Sequence, residues 1–421
     1  MRILVFYLST FLFGMPLISH AETFTVNSPN GDEISVEHFP AMGKNLFIWI
    51  PHESSPTAVD KQLSQQVAKL GIEVWLVDLF NTNFLPVAAS SMEKIPASQI
   101  SLLIDSAYQK TGKNIFLLTA GRGAVPVLRG TRHWQLNKLH PFELSGVIMV
   151  GPKLFVETPD PGLEGKLLPI VTASNLPLYI LQPAQSPWFW KLPTLVKGLE
   201  QSGSDAFIQR LDNIRDRFFF RPDAVSKEHE ATKALPKLLQ QASQLLLQLP
   251  NKTRKAVTKS LASPSVREGK KDLKLQVYKG NPIPPPLALN DLSDNKLDIK
   301  DLQGQVVLVN FWASWCPPCV HEMPSMARLM NRFKRQGFTI LAVNMAEDKR
   351  TIHHFINNRV KINFPVIMDK DGTALRQWKV FAFPTSYLLD RHGVIRFAVF
   401  GSIDWDSSEI VSTISELIAE K

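Results

Sequence analysis

The chain has 421 residues, of which 44% are hydrophobic, and this length is too great for one average domain. Its 47 Lys and Arg against 38 Asp and Glu give a net charge of +9, most of which falls within residues 227–280, where 12 basic face 4 acidic residues. No recognition motif accompanies this charge, so we do not expect nucleic-acid binding. A basic connector of this kind suits an acidic partner, lipid headgroups or simple exposure to solvent.

The first 21 residues have the pattern of a secretory signal peptide. Arg2 precedes an apolar stretch over residues 3–18, and Ser19 and Ala21 fit the small-x-small pattern of a cleavage site. The stretch is shorter than the roughly 20 residues that span a bilayer, which favours cleavage over an uncleaved anchor. We therefore expect a mature chain from Glu22 in the periplasm, where disulfides form, that is not an integral membrane protein once processed.

Residues 22–226 alternate apolar, strand-like runs with amphipathic helical stretches. This alternation predicts an α/β domain with a parallel sheet that helices cover on both faces. The predicted strands cover residues 45–50, 72–79, 114–119, 146–150, 178–181 and 206–211, and the predicted helices cover 60–70, 97–110, 122–137 and 192–201.

One strand–turn–helix junction in this region has the small residues of a catalytic elbow. Gly121, Arg122 and Gly123 resemble the G-x-S-x-G nucleophile elbow of the α/β-hydrolase family, but the tip falls on Gly121, which has no side chain. No acid follows the strand at 178–181, and the first histidine after the strand at 206–211 is His229. The resemblance therefore implies a degenerate hydrolase domain that binds a partner or orients the rest of the chain.

The alternative is an active hydrolase with relocated catalytic residues. Ser90, Ser91 and Thr119 are the candidate hydroxyl groups. Each would need a neighbouring base, because a hydroxyl without its base is a poor nucleophile.

Residues 227–281 form the predicted connector. Leucines at near-helical spacing predict a helix over 226–249, which either completes the core of the first domain or forms an oligomer contact. Residues 251–279 are basic, and the prolines within 281–286 predict a stiff, extended spacer.

Residues 282–421 contain the only two cysteines of the chain, Cys316 and Cys319. They separate a β-branched apolar run from a helical stretch, which is the order strand, C-x-x-C, helix of thioredoxins. The predicted strands cover residues 306–311, 338–344, 365–368, 386–390 and 394–399, and the predicted helices cover 317–336, 349–359 and 407–419.

The residues around the dithiol resemble a particular group of proteins. Residues 309–319, Glu322 and residues 383–385 are similar to the TlpA/ResA group of exported, thioredoxin-like thiol–disulfide oxidoreductases. The resemblance implies a thioredoxin-like domain, a cis proline beside the dithiol at Pro384, and neighbours that support the site at Trp315, Pro317, Pro318, Phe383 and Thr385.

The position of each cysteine predicts its role. Cys316 should be an exposed nucleophile, because the N–H groups of a helix N-terminus favour the thiolate. Cys319, one turn into the helix, should be the buried thiol that resolves the mixed disulfide. Pro317 and Pro318 remove N–H donors and help to set the redox poise. Trp315 either shields one side of the site or packs in the core.

Glu322 lies one turn beyond Cys319 and matches an acid of the resembled group. Many thioredoxins carry a buried Asp on the preceding strand, where this chain has Asn310, which does not titrate. We expect Glu322 to relay the proton of Cys319, the alternative being an exposed carboxylate on the helix surface. A half zinc site at the cysteines would need a second cysteine pair or well-placed histidines, so we expect neither a metal nor another cofactor.

The resemblance favours a reductase of disulfides in exported, cysteine-containing proteins, an apocytochrome in cytochrome c maturation being one candidate. Because the chain has no other cysteine, a membrane thiol–disulfide electron donor should recharge it. The alternatives are a disulfide oxidase or isomerase, which needs a destabilised disulfide, and a binding module in which the hydrolase-like domain recruits a client.

Overall fold

The structure is a computed structural model that describes residues 22–28, 31, 33–88, 90–137, 142–250, 253–261 and 273–420. The predicted signal peptide and parts of the predicted connector lie outside these residues. Within them, the strands form two large sheets and one small hairpin, as a two-domain α/β protein requires. None of the described helices has the length and apolarity that a bilayer crossing requires.

The N-terminal domain is built on eight strands. They are β1 (Glu22–Asn27), β2 (Glu33–Phe39), β3 (Asn45–Ile50), β4 (Glu73–Val77), β5 (Asn114–Ala120), β6 (Gly146–Val150), β7 (Pro177–Gln185) and β8 (Asp205–Arg215). The order across the sheet is β1-β2-β4-β3-β5-β6-β7-β8. β1, β2 and β4 pair antiparallel, and all pairs from β4 to β8 are parallel, so the sheet is largely the one predicted.

Helices cover both faces of this sheet. They are α1 (Ala58–Lys69), α2 (Leu79–Thr82), α3 (Ser91–Lys94), α4 (Ala97–Thr111), α5 (Ala124–Leu136), α6 (Leu192–Gln201) and α7 (Ser226–Leu246). Apolar side chains of α4, α5 and α6 pack in one core, and those of α1 and α7 pack in the core on the opposite face. The strands between them are buried on both faces, which explains their near-continuous hydrophobic sequences.

Helix α7 corrects the predicted boundary of the first domain. Leu235, Leu239 and Leu246 are buried against the N-terminal sheet. Further along, Arg132 donates hydrogen bonds to the backbone oxygens of Val257 and Lys259. The predicted helix thus completes the core of the first domain, and residues 253–261 pack on α5, so this domain does not end at residue 226.

The C-terminal domain is built on a six-stranded sheet. Its strands are β9 (Gln276–Val277), β12 (Val306–Trp312), β13 (Phe338–Met345), β14 (Val366–Asp369), β15 (Thr385–Leu389) and β16 (Ile395–Phe400), with a hairpin of β10 (Ala288–Asn290) and β11 (Lys296–Asp298) beside them. The order is β14-β13-β12-β15-β16-β9. The helices are α8 (Pro317–Phe333), α9 (Lys349–Asn358), α10 (Thr373–Gln377) and α11 (Ser408–Ala419).

The start of this domain also differs from the prediction. Strand β9 lies within the predicted connector, yet it pairs antiparallel with β16. The backbone N–H of Tyr278 donates to the carbonyl of Arg396 at 2.9 Å, and that of Ile395 donates to the carbonyl of Pro282 at 2.8 Å. The last connector residues are therefore an edge of the C-terminal sheet and not a free spacer.

Candidate active site

The dithiol lies where β12 ends and α8 begins. Cys316 is the N-cap residue of α8, and its Sγ accepts a hydrogen bond from the backbone N–H of Cys319 at 3.3 Å. Pro317 and Pro318 occupy the first two helical positions and have no N–H, so the N–H of Cys319 is the first that the helix offers. The sequence Cys-Pro-Pro-Cys thus directs one backbone dipole at the sulfur of Cys316, which favours a thiolate there once the disulfide is reduced.

Cys316 and Cys319 are joined in a disulfide, with their Cα atoms 5.4 Å apart. Cys319 is fully buried as expected, but the prediction of an exposed Cys316 is wrong, because only 5% of this residue is accessible. Cys316 packs in the core cluster on which half-buried Trp315 and Phe383 also lie. The rings of Trp315 and Phe383 meet edge to face at 5.7 Å between their centroids. The aromatic pair therefore joins the two loops beside the disulfide.

The loop that precedes β15 is the second part of the site. Its Phe383–Pro384 peptide bond is cis, and Pro384 is buried. The hydroxyl of Thr385 donates to the carbonyl of Ala382 at 2.8 Å, and Thr385 pairs with Phe311 on β12. Strand pairing thus places this loop beside the end of β12, next to the dithiol.

Glu322 is a buried acid on α8, one turn beyond Cys319. Only 1% of the residue is accessible, so the alternative of an exposed surface carboxylate is wrong. Its Oε1 accepts from Nδ2 of Asn310 at 2.8 Å, and its Oε2 accepts from Nε1 of Trp405 at 3.1 Å. Burial raises the pKa of Glu322 to about 7, although the hydrogen bonds from Trp405 and Asn310 oppose that rise. Glu322 can therefore hold or release a proton near neutral pH.

Asn310 links Glu322 to the strand that follows the cis-proline loop. Its Nδ2 donates both to Glu322 and, at 2.9 Å, to the hydroxyl of Ser386 on β15. Its Oδ1 is buried and has no hydrogen-bond partner. Asn310 cannot take up a proton, so in this buried trio the titrating group is on the helix and not on the strand.

A second buried acid was not predicted from the sequence. Glu347 follows β13 and accepts hydrogen bonds from both the backbone N–H, at 2.7 Å, and the hydroxyl of Ser314, two residues before Cys316. Nδ2 of Asn344 donates to it at 2.8 Å, and burial raises its pKa. Glu347 thus holds the turn that leads into Cys316. A polar Asn344 at the end of an apolar strand was the only sequence signal for it.

A metal site is not evident in the part of the chain that the structure describes. No group of three or more His, Cys, Asp and Glu is placed to hold a metal ion among these residues. His321, which is near the dithiol in sequence, and His353 and His354 on α9 have exposed side chains.

The junction at Gly121, for which the sequence predicted a degenerate elbow, is a strand–turn–helix without a reactive side chain at its tip. β5 leads through a short 3₁₀ turn, Gly121–Gly123, into α5, and Gly121 adopts a φ of +54°. A Cβ at Gly121 would lie 3.3 Å from Oε2 of Glu53, so a carboxylate occupies the space in front of the missing side chain. The small residues are required here, because a Cβ on Gly123 would lie 2.2 Å from Oγ1 of Thr119.

Charged residues from neighbouring strand ends surround Gly121. Burial alone would raise the pKa of Glu53, but the cations of Lys153 and Arg217 outweigh it and hold that pKa low. Lys153 also pairs with Asp216 at 3.0 Å. The site therefore balances its charges internally and keeps Glu53 ionised.

The candidate hydroxyls of an active hydrolase do not meet a base. Oγ1 of Thr119 is buried without a hydrogen-bond partner, and Ser91 donates to the carbonyl of Pro86 at 2.6 Å. His52 lies 3.3 Å from the hydroxyl of Ser54, but it stacks on Phe220 and burial lowers its pKa. Among the described residues, neither Ser90 nor Ser91 nor Thr119 forms a hydrogen bond with a histidine.

Comparison with known proteins places the dithiol in a family. Residues 280–398 match the model of the AhpC/TSA family. The chain is 37% identical over 119 residues to the thiol-disulfide oxidoreductase ResA of Bacillus subtilis, covering 28% of this chain and 66% of the relative. It is 34% identical over 125 residues to ResA of Geobacillus kaustophilus, covering 30% and 71%. The match thus spans about two thirds of these relatives' own length.

Solved structures are similar over the same fraction of the chain. The thioredoxin domain of a thiol-disulfide oxidoreductase from Bacteroides vulgatus is 26% identical and aligns over 32% of this chain and 95% of that domain, with a TM-score of 0.29. StoA from Bacillus subtilis is 23% identical over 32% and 98%, with a TM-score of 0.28. The fold assignment rests on the order of elements and on the family match.

Proposed function

Because the chain belongs to the ResA-type, thioredoxin-fold thiol–disulfide oxidoreductases, we propose that it reduces disulfides of exported, cysteine-containing proteins at the Cys316–Cys319 pair. One observation carries this proposal: the sulfur of Cys316 caps α8 and accepts a backbone N–H, while Glu322 lies buried one turn beyond Cys319. The first feature favours a nucleophilic thiolate, and the second supplies a proton acceptor for the resolving thiol.

The reaction begins with the reduced dithiol. The thiolate of Cys316 attacks one sulfur of the substrate disulfide, whose S–S bond breaks as a mixed disulfide with Cys316 forms. The second substrate sulfur leaves as a thiolate and takes a proton from water. Because Pro317 and Pro318 have no N–H, the N–H of Cys319 is the first in α8 that can stabilise the Cys316 thiolate.

The second exchange releases the substrate. Glu322 in its carboxylate form takes the proton of Cys319, and the new thiolate attacks Sγ of Cys316. The mixed disulfide breaks, the substrate cysteine leaves as a thiolate that is then protonated, and Cys316 and Cys319 form the disulfide that the structure contains. Two electrons have passed from the dithiol to the substrate.

The oxidised pair must then be reduced again. The sequence holds no further cysteine to carry electrons to it, which supports a separate dithiol protein, such as a membrane thiol–disulfide transporter, as the donor. The predicted signal peptide supports action in the periplasm, where oxidised substrates arise.

Trapping of the mixed disulfide tests this proposal. The variant Cys319→Ser leaves Cys316 as the attacking thiol but removes the group that resolves the intermediate, so we expect covalent adducts with oxidised insulin on non-reducing gels. The matched control, Cys316→Ser, should form no comparable adducts, because the backbone N–H that favours a thiolate is directed at Cys316 and because Cys319 is fully buried. Adducts of equal yield in both variants, or none in either, would contradict the proposal.

The role of Glu322 needs its own measurement. We expect Glu322→Gln to slow the release of insulin from the mixed disulfide by about 10²-fold, the usual contribution of a positioned acid or base. The first attack by Cys316 should keep its rate. If both steps and the titration of Cys319 are unchanged in the variant, Glu322 has no part in proton transfer.

A further inference from the structure

The N-terminal domain holds a side chain of the cis-proline loop. Phe381 lies three residues before Pro384, and only 4% of it is accessible. Its ring makes edge-to-face contacts with Phe155, at 5.8 Å between centroids, and with Trp188, at 6.4 Å. Both partners belong to the N-terminal domain, in the loops that follow β6 and β7. An aromatic side chain of the C-terminal domain, which we call the redox domain, is thus buried against the N-terminal domain.

Two more residues complete this contact. Nζ of Lys191 lies 4.0 Å from the centroid of the Phe381 ring, and Lys191 is itself buried. A Cβ on Gly165 would lie 2.3 Å from the same ring, so only glycine allows the approach. We call Phe155, Gly165, Trp188 and Lys191 the Phe381 socket. Edge-to-face rings and a desolvated cation fix the position of an aromatic side chain more strictly than aliphatic packing does.

Contacts beside the socket hold the preceding helix of the redox domain. Trp190 packs on Gly372, where a Cβ would lie 2.4 Å from its ring, and the guanidinium of Arg376 lies 5.7 Å from the centre of that ring. Glu164 pairs with Lys379 at 3.5 Å. The N-terminal domain therefore contacts the redox domain from α10 through to the loop that ends at Pro384.

The same loop borders the dithiol on its other side. Phe383, two residues after Phe381, contacts Trp315 next to Cys316. On the side of the N-terminal domain, Thr158, Pro159 and Pro161 close against Lys379, Ala382 and Phe400 of the redox domain and leave no space for a water molecule.

We propose that the Phe381 socket is a positioning and specificity element of the redox site, through which the N-terminal domain sets the loop at 381–385 for a polypeptide substrate. This inference rests on the proposed function. The bound partner is an extended, cysteine-bearing segment of a protein, which contacts the loop at 381–385 when its sulfur reaches Cys316. A small disulfide needs access to Cys316 alone, and so it does not depend on the socket.

The matched variants are in the N-terminal domain, so that they leave the core of the redox domain intact. Trp188→Ala removes one wall of the socket, Lys191→Met removes its cation at similar size, and Trp188→Phe retains an aromatic ring. Phe24 provides the control, because it too contacts a tryptophan, Trp75 at 4.9 Å, and a lysine, Lys110 at 4.2 Å, but far along the sheet at β1. Phe24→Ala thus removes a similar aromatic contact elsewhere.

The experiment compares reduction of insulin and of 5,5′-dithiobis(2-nitrobenzoic acid) by each full-length variant. We expect Trp188→Ala to raise the KM for insulin about fivefold and to leave kcat unchanged. This size of effect corresponds to the loss of one or two aromatic contacts. Trp188→Phe, which retains an aromatic ring, should bring the KM for insulin most of the way back to the wild-type value. Reduction of the small disulfide should stay within about twofold of the wild-type rate, and Phe24→Ala should change neither substrate.

An unchanged insulin KM in Trp188→Ala and Lys191→Met would overturn the inference. So would an equal loss on both substrates, which indicates a purely structural role of the contact. The proposed function fails in a different way, namely if the wild-type chain reduces neither substrate.

Discussion

Both domains place a strand, a tight turn and a helix N-terminus at the carboxyl edge of a sheet, but only one of the two turns carries a reactive side chain. β5 leads through Gly121 into α5, and β12 leads through Cys316 into α8. The backbone of each junction brings N–H groups to a point where a nucleophile can act. The comparison teaches that this backbone arrangement is separable from chemistry, which depends on the side chain and its proton acceptor.

The pKa values of the buried acids near the two junctions shift in opposite directions. Glu322 is buried among neutral donors, and its pKa rises to about 7. Glu53 faces Lys153 and Arg217, and its pKa falls. We therefore expect the same type of side chain to exchange a proton in one domain and to balance charge in the other, because only the second has cations beside it.

Among the variants that test this comparison, removal of the Cys316 sulfur should have the largest effect on activity. We expect Cys316→Ser to abolish reduction of insulin, because the hydroxyl neither forms a disulfide nor ionises at neutral pH. The measurement is the rate of insulin reduction with dithiothreitol as the electron source. Any enzyme-dependent rate above that of dithiothreitol alone would place the chemistry outside Cys316.

The pH dependence of stability tests the burial of Glu322. Below its ordinary pKa of 4.5 the acid is protonated in both the folded and the unfolded chain. As the pH rises from there to about 7, the unfolded chain releases the proton while the folded chain retains it. The free energy of unfolding should therefore fall by roughly 3 kcal/mol across this window, a loss that Glu322→Gln should not show. Urea denaturation between pH 4 and pH 8 measures both proteins.

The corresponding variant of the first domain should have the opposite sign. Because the pKa of Glu53 is lowered in the fold, its stabilising contribution is present above the unfolded pKa and is lost as the pH falls through the folded value. The stability difference between wild type and Glu53→Gln should thus shrink on acidification. A difference of the same sign as for Glu322 would remove the electrostatic contrast between the two junctions.

Placing a hydroxyl at Gly121 should have the smallest effect. We expect Gly121→Ser to lower the free energy of unfolding by about 1 kcal/mol, because φ is +54° there, and to confer no hydrolysis of p-nitrophenyl acetate. Gly393→Ser is the matched control, since Gly393 has a φ of +75° and a Cβ added there would meet no atom within 4 Å. Ester hydrolysis by the Gly121 variant would show that a base lies within reach after all.

The sequence predicted much of the fold because buried parallel strands and amphipathic helices leave strong patterns. The predicted bounds of β3, β6 and α6 match the structure. The β1–β2 hairpin was missed although its strands alternate exposed polar with buried apolar residues, because the predicted strands were taken only from continuous apolar runs. β8 extends four residues beyond its prediction, since pairing with β7 holds polar residues that have no apolar pattern.

Residue spacing predicted only the part of the site that lies within one local motif, whereas the loop at 383–385 was predicted from the family resemblance. The dithiol, the two prolines and Glu322 share α8, and their spacing alone places them together. Trp405 meets Glu322 from 83 residues away, and Glu347 reaches Ser314 from 33 residues away, contacts that only the folded sheet creates. The burial of Cys316 was missed for the same reason, because Phe383 comes from a distant loop.

The reduction potential of the Cys316–Cys319 couple tests the central claim most directly. A disulfide reductase needs a couple that readily gives up electrons, so equilibration of the full-length protein with glutathione or dithiothreitol buffers should give a potential near that of thioredoxin, about −270 mV. A potential near about −120 mV, as in a strong disulfide oxidant, would contradict the proposed direction of electron flow.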